Sequence, residues 1–294
     1  MSTINLLKPS DFPPLLQEIN DPPKELYLRG IIPDPNAFTY LTVVGSRQPS
    51  SYGKQVCKHL ISHLQGLPVV IVSGLALGID YIAHTTALAV GLKTLAIPGS
   101  GLNDQVLYPQ SHRPLAELII KNGGGLLSEL KPDQRASRYS FPSRNRLMAG
   151  LSPATLIIEA QAKSGTLITA RLALDYNRDV LCVPGSIFNQ TAIGPLQLIK
   201  DGAEPIISAD DLRDRLGFSP SQTSVVKIPE AILSNTEKII CIKLALGPKT
   251  KDEILLETDL PTVEILVSLS NLELNNFIKN EDGILYLQVQ FAKD

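Results

Sequence analysis

Residues 39–50 read TYLTVVGSRQPS, and residues 69–80 read VVIVSGLALGID. In each stretch a largely apolar run leads directly into a glycine turn, and a helical spacing of apolar residues follows. Strands without polar alternation are typical of a parallel sheet that helices cover on both faces. The same pattern predicts further strands at 94–97, 126–128, 155–158, 180–183 and 205–207, and helices at 54–64, 79–89, 114–121, 144–151 and 166–176. The sequence therefore predicts an α/β fold with a doubly wound, mostly parallel sheet.

The chain divides into four predicted segments. Residues 1–38 are rich in proline and are expected to pack in extended form on the α/β domain at 39–210. Residues 211–234 form the predicted linker, because the polar stretch 219–224 has no periodicity. Residues 235–294 contain three helical patterns, 237–246, 252–257 and 263–274, and a hairpin signal at 277–288. Three helices and a hairpin predict a small winged-helix-like domain.

The composition is that of an ordinary globular protein. Of 294 residues, 44% are hydrophobic and 19% are charged, and the formal net charge is −2. A slightly acidic chain has no overall attraction to nucleic acid, so any DNA binding must come from a local patch. Cys57, Cys182 and Cys241 lack metal-ligand spacing, so we expect reduced, buried thiols and no metal. Residues 1–16 do not have the pattern of a secretory signal, and the sequence has no apolar run long enough to cross a bilayer. We therefore expect a cytoplasmic protein without membrane contact.

Cations and aromatic rings are concentrated in one segment. It reads FPSRNR at 141–146 and follows Arg135, Arg138 and Tyr139. Guanidinium groups pair bidentately with phosphate, and an aromatic ring can stack on an unpaired base of any identity. The alternative is a solvated surface loop. The segment follows a predicted strand, which favours the interpretation as a nucleic-acid site.

Three glycine or hydroxyl turns also follow predicted strands. Backbone N–H groups at the start of a helix can bind phosphate, and the carboxyl ends of parallel strands meet at one edge of a sheet. A nucleotide cofactor is not expected, because Gly-x-Gly-x-x-Gly is missing after the first strand. The turns therefore predict an extended phosphate-binding face that includes Gly45, Ser46, Arg47, Ser73, Gly74, Lys163, Ser164, Gly165 and Thr166.

Side chains that could serve an enzyme are scattered. Asp80 and His84 share a helix face and could form an acid–base pair, but a structural role is favoured because no nucleophile stands at a suitable spacing. Glu129 and Glu159 lie at predicted strand ends, where structural hydrogen bonding is favoured over catalysis. The sequence therefore favours a binding protein over an enzyme.

Motifs along residues 10–207 resemble, in order, those of the DNA processing protein A family, also called DprA or Smf. The matching motifs are Gly45-Ser46-Arg47, residues 73–80 with His84, residues 98–101 (PGSG) with Tyr108-Pro109, residues 127–129 (LSE), residues 141–146 (FPSRNR), residues 164–170 (SGTLITA) and Pro184-Gly185. Two positions depart from the family pattern, since Leu196 and His112 stand where asparagine is expected.

The resemblance implies an extended Rossmann-like domain that binds single-stranded DNA without sequence preference and forms a homodimer. It also implies a protein that protects incoming DNA and helps to load a RecA-type recombinase in natural transformation, without catalytic activity or a cofactor. Arg135 fits the DNA site by its charge. By matching the family's motifs, the resemblance gives a DNA-binding role to Arg47, Arg138, Phe141, Arg144, Asn145 and Arg146.

Two other functions are less consistent with the residues. A nucleoside-phosphate N-glycosidase would carry Pro-Gly-Gly-x-Gly-Thr-x-x-Glu, whereas this chain has only Pro98-Gly99-Ser100-Gly101 without the acid. A transcription regulator would need cations on the recognition helix of the C-terminal domain. That helix, 263–274, contains Glu264 and Glu273 and no Lys or Arg, so contact with a partner or a second copy fits it better.

Overall fold

The computed structural model describes residues 3–218, 233–245, 247–258, 260–275, 277–281 and 283–287. The chain forms two compact units, Met1–Ser219 and Pro220–Asp294. Each unit has its own hydrophobic core among the described residues. The polar stretch 219–224 of the predicted linker lies outside the described residues.

A nine-stranded sheet is the centre of the first unit. In sequence, its strands are β1 (Ile4–Leu7), β2 (Leu26–Gly30), β3 (Thr39–Val44), β4 (Val69–Ser73), β5 (Lys93–Ala96), β6 (Gly125–Ser128), β7 (Ala154–Ile157), β8 (Asp179–Cys182) and β9 (Glu204–Pro205). In space their order is β1-β2-β6-β5-β4-β3-β7-β8-β9. All neighbours from β6 to β9 in that order are parallel, and the order reverses between β3 and β7. The predicted doubly wound, mostly parallel sheet is confirmed.

Helices cover both faces of this sheet. They are α1 (Pro14–Gln17), α2 (Ser51–Ser62), α3 (Ile79–Ala89), α4 (Arg113–Lys121), α5 (Ser140–Leu151), α6 (Gly165–Asp175), α7 (Ile193–Lys200) and α8 (Ala209–Arg215). Alternate residues of β3 enter different cores: Tyr40 and Val44 pack in one cluster, and Leu41 and Val43 pack in the other. Burial on both faces is the reason that the strand sequences are apolar without alternation.

The N-terminal segment contributes more regular structure than its sequence suggests. Instead of a wholly extended segment, it forms β1, β2 and the short helix α1, and β2 pairs with β6 in antiparallel register. Phe12, Leu16 and Ile19 are buried in the main core. The prolines at 13–14 and 22–23 lie between β1 and β2, and these two strands differ from the rest of the sheet in being antiparallel to their neighbours.

The first unit extends beyond the predicted boundary at residue 210. Helix α8 begins two residues before the predicted linker and continues into it, and its Leu212 and the following Leu216 are buried in the core cluster that also holds Leu181 and Ile206. Apolar residues spaced by four bury one helix face, which places residues 211–218 with the α/β unit.

The second unit contains α9 (Asn235–Ala245), β10 (Lys249–Thr250), α10 (Lys251–Glu257), α11 (Thr262–Leu274), β11 (Ile278–Glu281) and β12 (Ile284–Leu287). Its three strands pair in the order β10-β12-β11. The predicted helices and hairpin are therefore present, although Leu246 and Gln288, the predicted ends of one helix and one strand, lie outside the described residues. The winged-helix classification stays a prediction.

Two predictions from composition can be compared with the structure. Cys57, Cys182 and Cys241 are free and buried, and burial raises the pKa of the Cys182 and Cys241 thiols to about 12. Within the described ranges, the helices fall short of the length and apolar character that crossing a bilayer requires.

Candidate nucleic-acid interface

The loops at the carboxyl edge of the sheet meet at the reversal between β3 and β7. Ile79 N donates a hydrogen bond to Ser46 O at 3.1 Å, which joins the turn after β4 to the turn after β3. Thr166 Oγ1 donates to Gly45 O at 3.2 Å, which joins the start of α6 to the same turn. Open α/β sheets bind ligands in the crevice at this position.

A shallow depression opens in this edge beside the Phe141 ring. The Arg47 guanidinium carbon lies 5.3 Å from the centroid of that ring, and the Tyr108 ring lies 5.7 Å from it in an edge-on arrangement. Leu77 and Tyr108 are about half exposed. The depression is lined by Arg47, Gly74, Ala76, Leu77, Tyr108, Pro109, Phe141 and Arg144.

Helix α5 places Phe141 in the depression. Ser140 Oγ accepts a hydrogen bond from Ser137 N at 2.9 Å and donates one to Gly99 O at 2.6 Å, which fixes the start of the helix against the loop after β5. The Phe141 ring packs on Gly99 so closely that a Cβ atom there would lie 2.5 Å from Phe141 Cδ1. A bare backbone at residue 99 is therefore needed for this position of the ring.

Arg144 and the Ser73–Gly74 turn were predicted to contact phosphate, but the structure gives them partners inside the protein. Arg144 is 8% exposed, and its Nη1 donates to Ile97 O at 2.7 Å. Asp80 Oδ2 accepts from Gly74 N at 3.1 Å and from Ala76 N at 3.2 Å. The turn that resembles an anion site already binds the protein's own carboxylate.

The charges of Asp80 and Arg144 influence each other. Burial raises the pKa of Asp80, and the nearby Arg144 charge opposes that effect. Burial lowers the pKa of Arg144, and Asp80 opposes it in turn. Each charge therefore favours the charged state of the other.

Arg146 and Asn145 also make internal bonds. Arg146 Nη2 donates to both carboxylate oxygens of Glu129, at 2.5 and 2.6 Å, and Nη1 donates to Asp21 O at 2.7 Å. Asn145 Nδ2 donates to Gly165 O at 3.3 Å. Several hydrogen-bond donors of the predicted basic segment are therefore already bonded to acceptors within the protein.

Four predicted cations are exposed. Arg47 lies at the depression, and Arg138 packs over the Tyr139 ring at 4.7 Å from its centroid. Arg135 and Lys163 are also exposed. At the head of α6, Ser164 Oγ accepts from Thr166 N at 3.2 Å as a helix cap, and the adjacent Gly165 faces open space.

The candidate catalytic side chains His84 and Glu159 are hydrogen-bonded to other groups of the protein. His84 Nδ1 pairs with Thr94 Oγ1 at 2.6 Å and not with Asp80, and burial together with His112 lowers the pKa of His84 to about 3. Glu159 accepts bonds from Ser50 N at 2.9 Å, Ser50 Oγ at 2.5 Å and Thr191 Oγ1 at 2.7 Å. In the described part of the chain, His, Cys, Asp and Glu side chains form no group of three that could hold a metal.

One of the two departures from the family pattern has a clear structural role. His112 is 5% exposed, and its Nδ1 hydrogen-bonds Leu75 O at 2.8 Å. Leu75 has a φ of 59°, so this bond supports a residue in the left-handed region. Leu196 lies half-buried on α7, and nothing in the structure explains that substitution.

Sequence reasoning missed part of the depression. Leu77, Pro109 and above all Tyr108 line it, yet they were not among the predicted site residues. The signal was an aromatic residue in the loop after β5, within a motif already noted as Tyr108-Pro109. Sequence spacing alone does not bring residue 108 beside residue 141, because their proximity depends on how two loops fold over one sheet edge.

A model of the DNA recombination-mediator protein A family matches residues 3–217. The chain belongs to this family. It is 38% identical to DNA processing protein DprA of Bacillus subtilis (strain 168) over 205 residues, which cover 70% of this chain and 68% of the relative. It is 34% identical to Protein Smf of Escherichia coli (strain K12) over 287 residues, which cover 92% of this chain and 74% of the relative.

Solved structures of family members share the fold. The X-ray structure of DNA processing protein A from Streptococcus pneumoniae matches with a TM-score of 0.66 at 37% identity, covering 72% of this chain and 74% of that chain. The structure of the Helicobacter pylori protein, which was described for its single-stranded DNA binding mode, matches with a TM-score of 0.65 at 31% identity. That match covers 74% of this chain and 98% of the other. The α/β class and the family resemblance are therefore confirmed.

Proposed function

We propose that the protein binds single-stranded DNA without sequence preference at the carboxyl edge of its sheet. The observation that carries the proposal is the Phe141 ring, which lies in an open depression between Arg47 and Tyr108. An aromatic face can stack on any base, and a guanidinium group beside it can pair with the adjoining phosphate. The single-stranded DNA binding of the Helicobacter pylori relative supports the same ligand.

The exposure of each side chain refines the proposed contacts. Arg47, Phe141 and the added Tyr108 form the centre of the site. The exposed cations Arg135, Arg138 and Lys163, together with Gly45, Ser46 and the cap at Ser164, Gly165 and Thr166, flank the path of the strand. The residues with internal partners frame the site from beneath: Ser73, Gly74, Arg144, Asn145 and Arg146.

In the cell, we propose an accessory role in recombination and no catalytic activity. The protein would protect incoming DNA in the cytoplasm and help to load a RecA-type recombinase in natural transformation. The family's description as recombination mediators supports this role. Glu129 is bonded to Arg146, so it offers no free carboxylate for the N-glycosidase alternative.

A homodimer is part of the proposal. Ile187 and Phe188 follow β8, Ile207 follows the adjacent strand β9, and these side chains are 75%, 90% and 79% exposed. Large apolar side chains exposed together are typical of interaction surfaces. Sedimentation equilibrium should show a dimer that Phe188→Asp weakens. An unchanged dimer in that variant would remove this surface from consideration.

The test of DNA binding is a salt titration with fluorescein-labelled oligo-thymidine. We expect affinity to fall with salt. In Arg47→Met the slope of log affinity against log salt should be smaller in magnitude by about 0.7, because one cation no longer pairs with a phosphate. The matched control is Lys121→Met, since Lys121 is exposed at the end of α4, away from the carboxyl edge. Equal slopes in the wild type and Arg47→Met would exclude Arg47 from the interface, and tighter binding of duplex would contradict the proposed ligand.

A further inference from the structure

Two buried opposite charges lie against the same glycine beneath the proposed DNA site. A Cβ atom on Gly74 would stand 1.5 Å from Arg144 Nη1 and 2.6 Å from Asp80 Oδ2. Arg144 is 8% exposed and Asp80 is 5% exposed. The turn after β4 is therefore enclosed between α3, which carries Asp80, and α5, which carries Arg144.

Both side chains connect this turn to other parts of the sheet edge. Asp80 binds the turn through the backbone N–H groups of Gly74 and Ala76. Arg144 donates to Ile97 O at the end of β5, and its Nη1 also lies 3.6 Å from Met148 Sδ. Charged hydrogen bonds of this kind are the strong ones in a protein interior.

The same turn supports Arg47 and Phe141, two of the three residues at the centre of the DNA site. Ala76 and Leu77 line the depression beside Phe141, and Ile79 N bonds Ser46 O, the carbonyl directly before Arg47. Phe141 lies three residues before Arg144 on α5, on the same side of that helix. A shift of the turn or of Arg144 would therefore move the ring and the guanidinium relative to each other.

We propose that Asp80 and Arg144 are positioning residues, which fix the turn after β4 against α5 and so hold Phe141 and Arg47 at the spacing that DNA binding requires. The inference rests on the proposed function. It differs from the expectation that Arg144 contacts a phosphate, because Arg144 is buried against Gly74 and its Nη1 donates to Ile97 O.

Salt dependence separates a positioning arginine from one that binds phosphate directly. Removing one phosphate-binding cation reduces the slope of log affinity against log salt by about 0.7 for a single strand, whereas a positioning residue displaces no counterion of its own. In Arg144→Met we therefore expect affinity for oligo-thymidine to fall about tenfold or more with an unchanged slope. Arg47→Met is the matched control, and its slope should decrease. A reduced slope in Arg144→Met, or unchanged affinity, would overturn the inference.

The sign of the Asp80 effect gives a second readout. Removing a negative charge near bound phosphate should strengthen DNA binding if Asp80 acts only through its charge. We expect Asp80→Asn to weaken binding instead, because the turn loses its charged partner. Stronger binding by a folded Asp80→Asn protein would overturn the inference.

Unpaired buried charge can prevent folding, so the experiment includes the double variant Asp80→Asn, Arg144→Met, which leaves neither charge alone. Circular dichroism and thermal unfolding of the full chain establish that each variant is folded. The double variant should show weak binding with the wild-type salt slope, and wild-type affinity in it would reject the positioning role. If instead the wild type shows no salt-dependent binding, the proposed function itself fails, and an unchanged slope in the Arg47→Met control would exclude Arg47 from the interface.

Discussion

Gly99 is the position at which a single methyl group tests the stacking site most directly. A Cβ atom there would lie 2.5 Å from Phe141 Cδ1 and 2.8 Å from Cε1. Real Cβ atoms do not approach carbon so closely, so Gly99→Ala must displace the ring. Gly99 lies outside the left-handed region, and alanine therefore adds a steric clash without backbone strain.

The size of the effect follows from what the ring contributes. Stacking of one base on an aromatic side chain is worth about 1 to 3 kcal/mol, so Phe141→Ala should weaken oligo-thymidine binding about 5- to 150-fold. Gly99→Ala acts through the same ring, so we expect it to weaken binding by a similar factor. In a Phe141→Ala background the added methyl group should change affinity by less than about twofold, because residues that touch each other show non-additive effects.

Fluorescence anisotropy at one fixed salt concentration measures the four affinities of this double-mutant cycle. Lys121→Met is the control, since Lys121 is exposed at the end of α4, away from the carboxyl edge. That control should bind normally. An undiminished effect of Gly99→Ala in the absence of the Phe141 ring, or normal binding by Gly99→Ala alone, would refute the reasoning.

Three further outcomes are expected. Because burial lowers the pKa of His84 to about 3, only the unfolded state takes up a proton at this residue as the pH falls from 6.5 towards 3. The free energy of unfolding should therefore drop by about 1.4 kcal/mol per pH unit over this range. In denaturant titrations His84→Gln should remove this contribution, and His63→Gln, at an exposed histidine, should retain it. Glu159→Gln should lower the free energy of unfolding in urea by about 2 to 4 kcal/mol, because the buried carboxylate accepts three hydrogen bonds. The control Glu25→Gln, at an exposed residue, should lower it by less than about 0.5 kcal/mol. A chain ending at Ser219 should keep its affinity for oligo-thymidine, because α11 lacks cations, and a loss of binding by the folded truncated chain would contradict this division.

The sheet could be predicted where strands are buried on both faces. Leu41 and Val43 enter one core and Tyr40 and Val44 enter the other, so an apolar run with a following glycine turn was a sufficient signal. The antiparallel edge could not be predicted in the same way. Strand β2 contains the buried Arg29, whose charge is matched by Asp104, about 75 residues away in sequence. That partner is supplied only by the tertiary fold.

The meeting of the turns at one edge of the sheet could be predicted, but the direction of each side chain could not. Turns after parallel strands must meet at one edge, so residues 45–47 and 164–166 were correctly brought together. Whether an arginine faces outward depends on the acids that the fold places beside it. Arg146 binds Glu129, and the buried Arg144 donates to Ile97 O near the charge of Asp80; none of these groups is adjacent in sequence to its arginine. The motif FPSRNR therefore contributes less positive charge to the surface than its two arginines suggest.

This internal use of charge limits how the protein can hold DNA. The exposed cations among the predicted site residues are Arg47, Arg135, Arg138 and Lys163. At about 0.7 per phosphate, four such cations give a salt slope of only about 3 for a single strand. A protein with a net charge of −2 gains no compensating long-range attraction. In the proposed mode of binding, base stacking on Phe141 must therefore supply a large share of the affinity, and because every base has an aromatic face, an interface of this kind would bind DNA without reading its sequence.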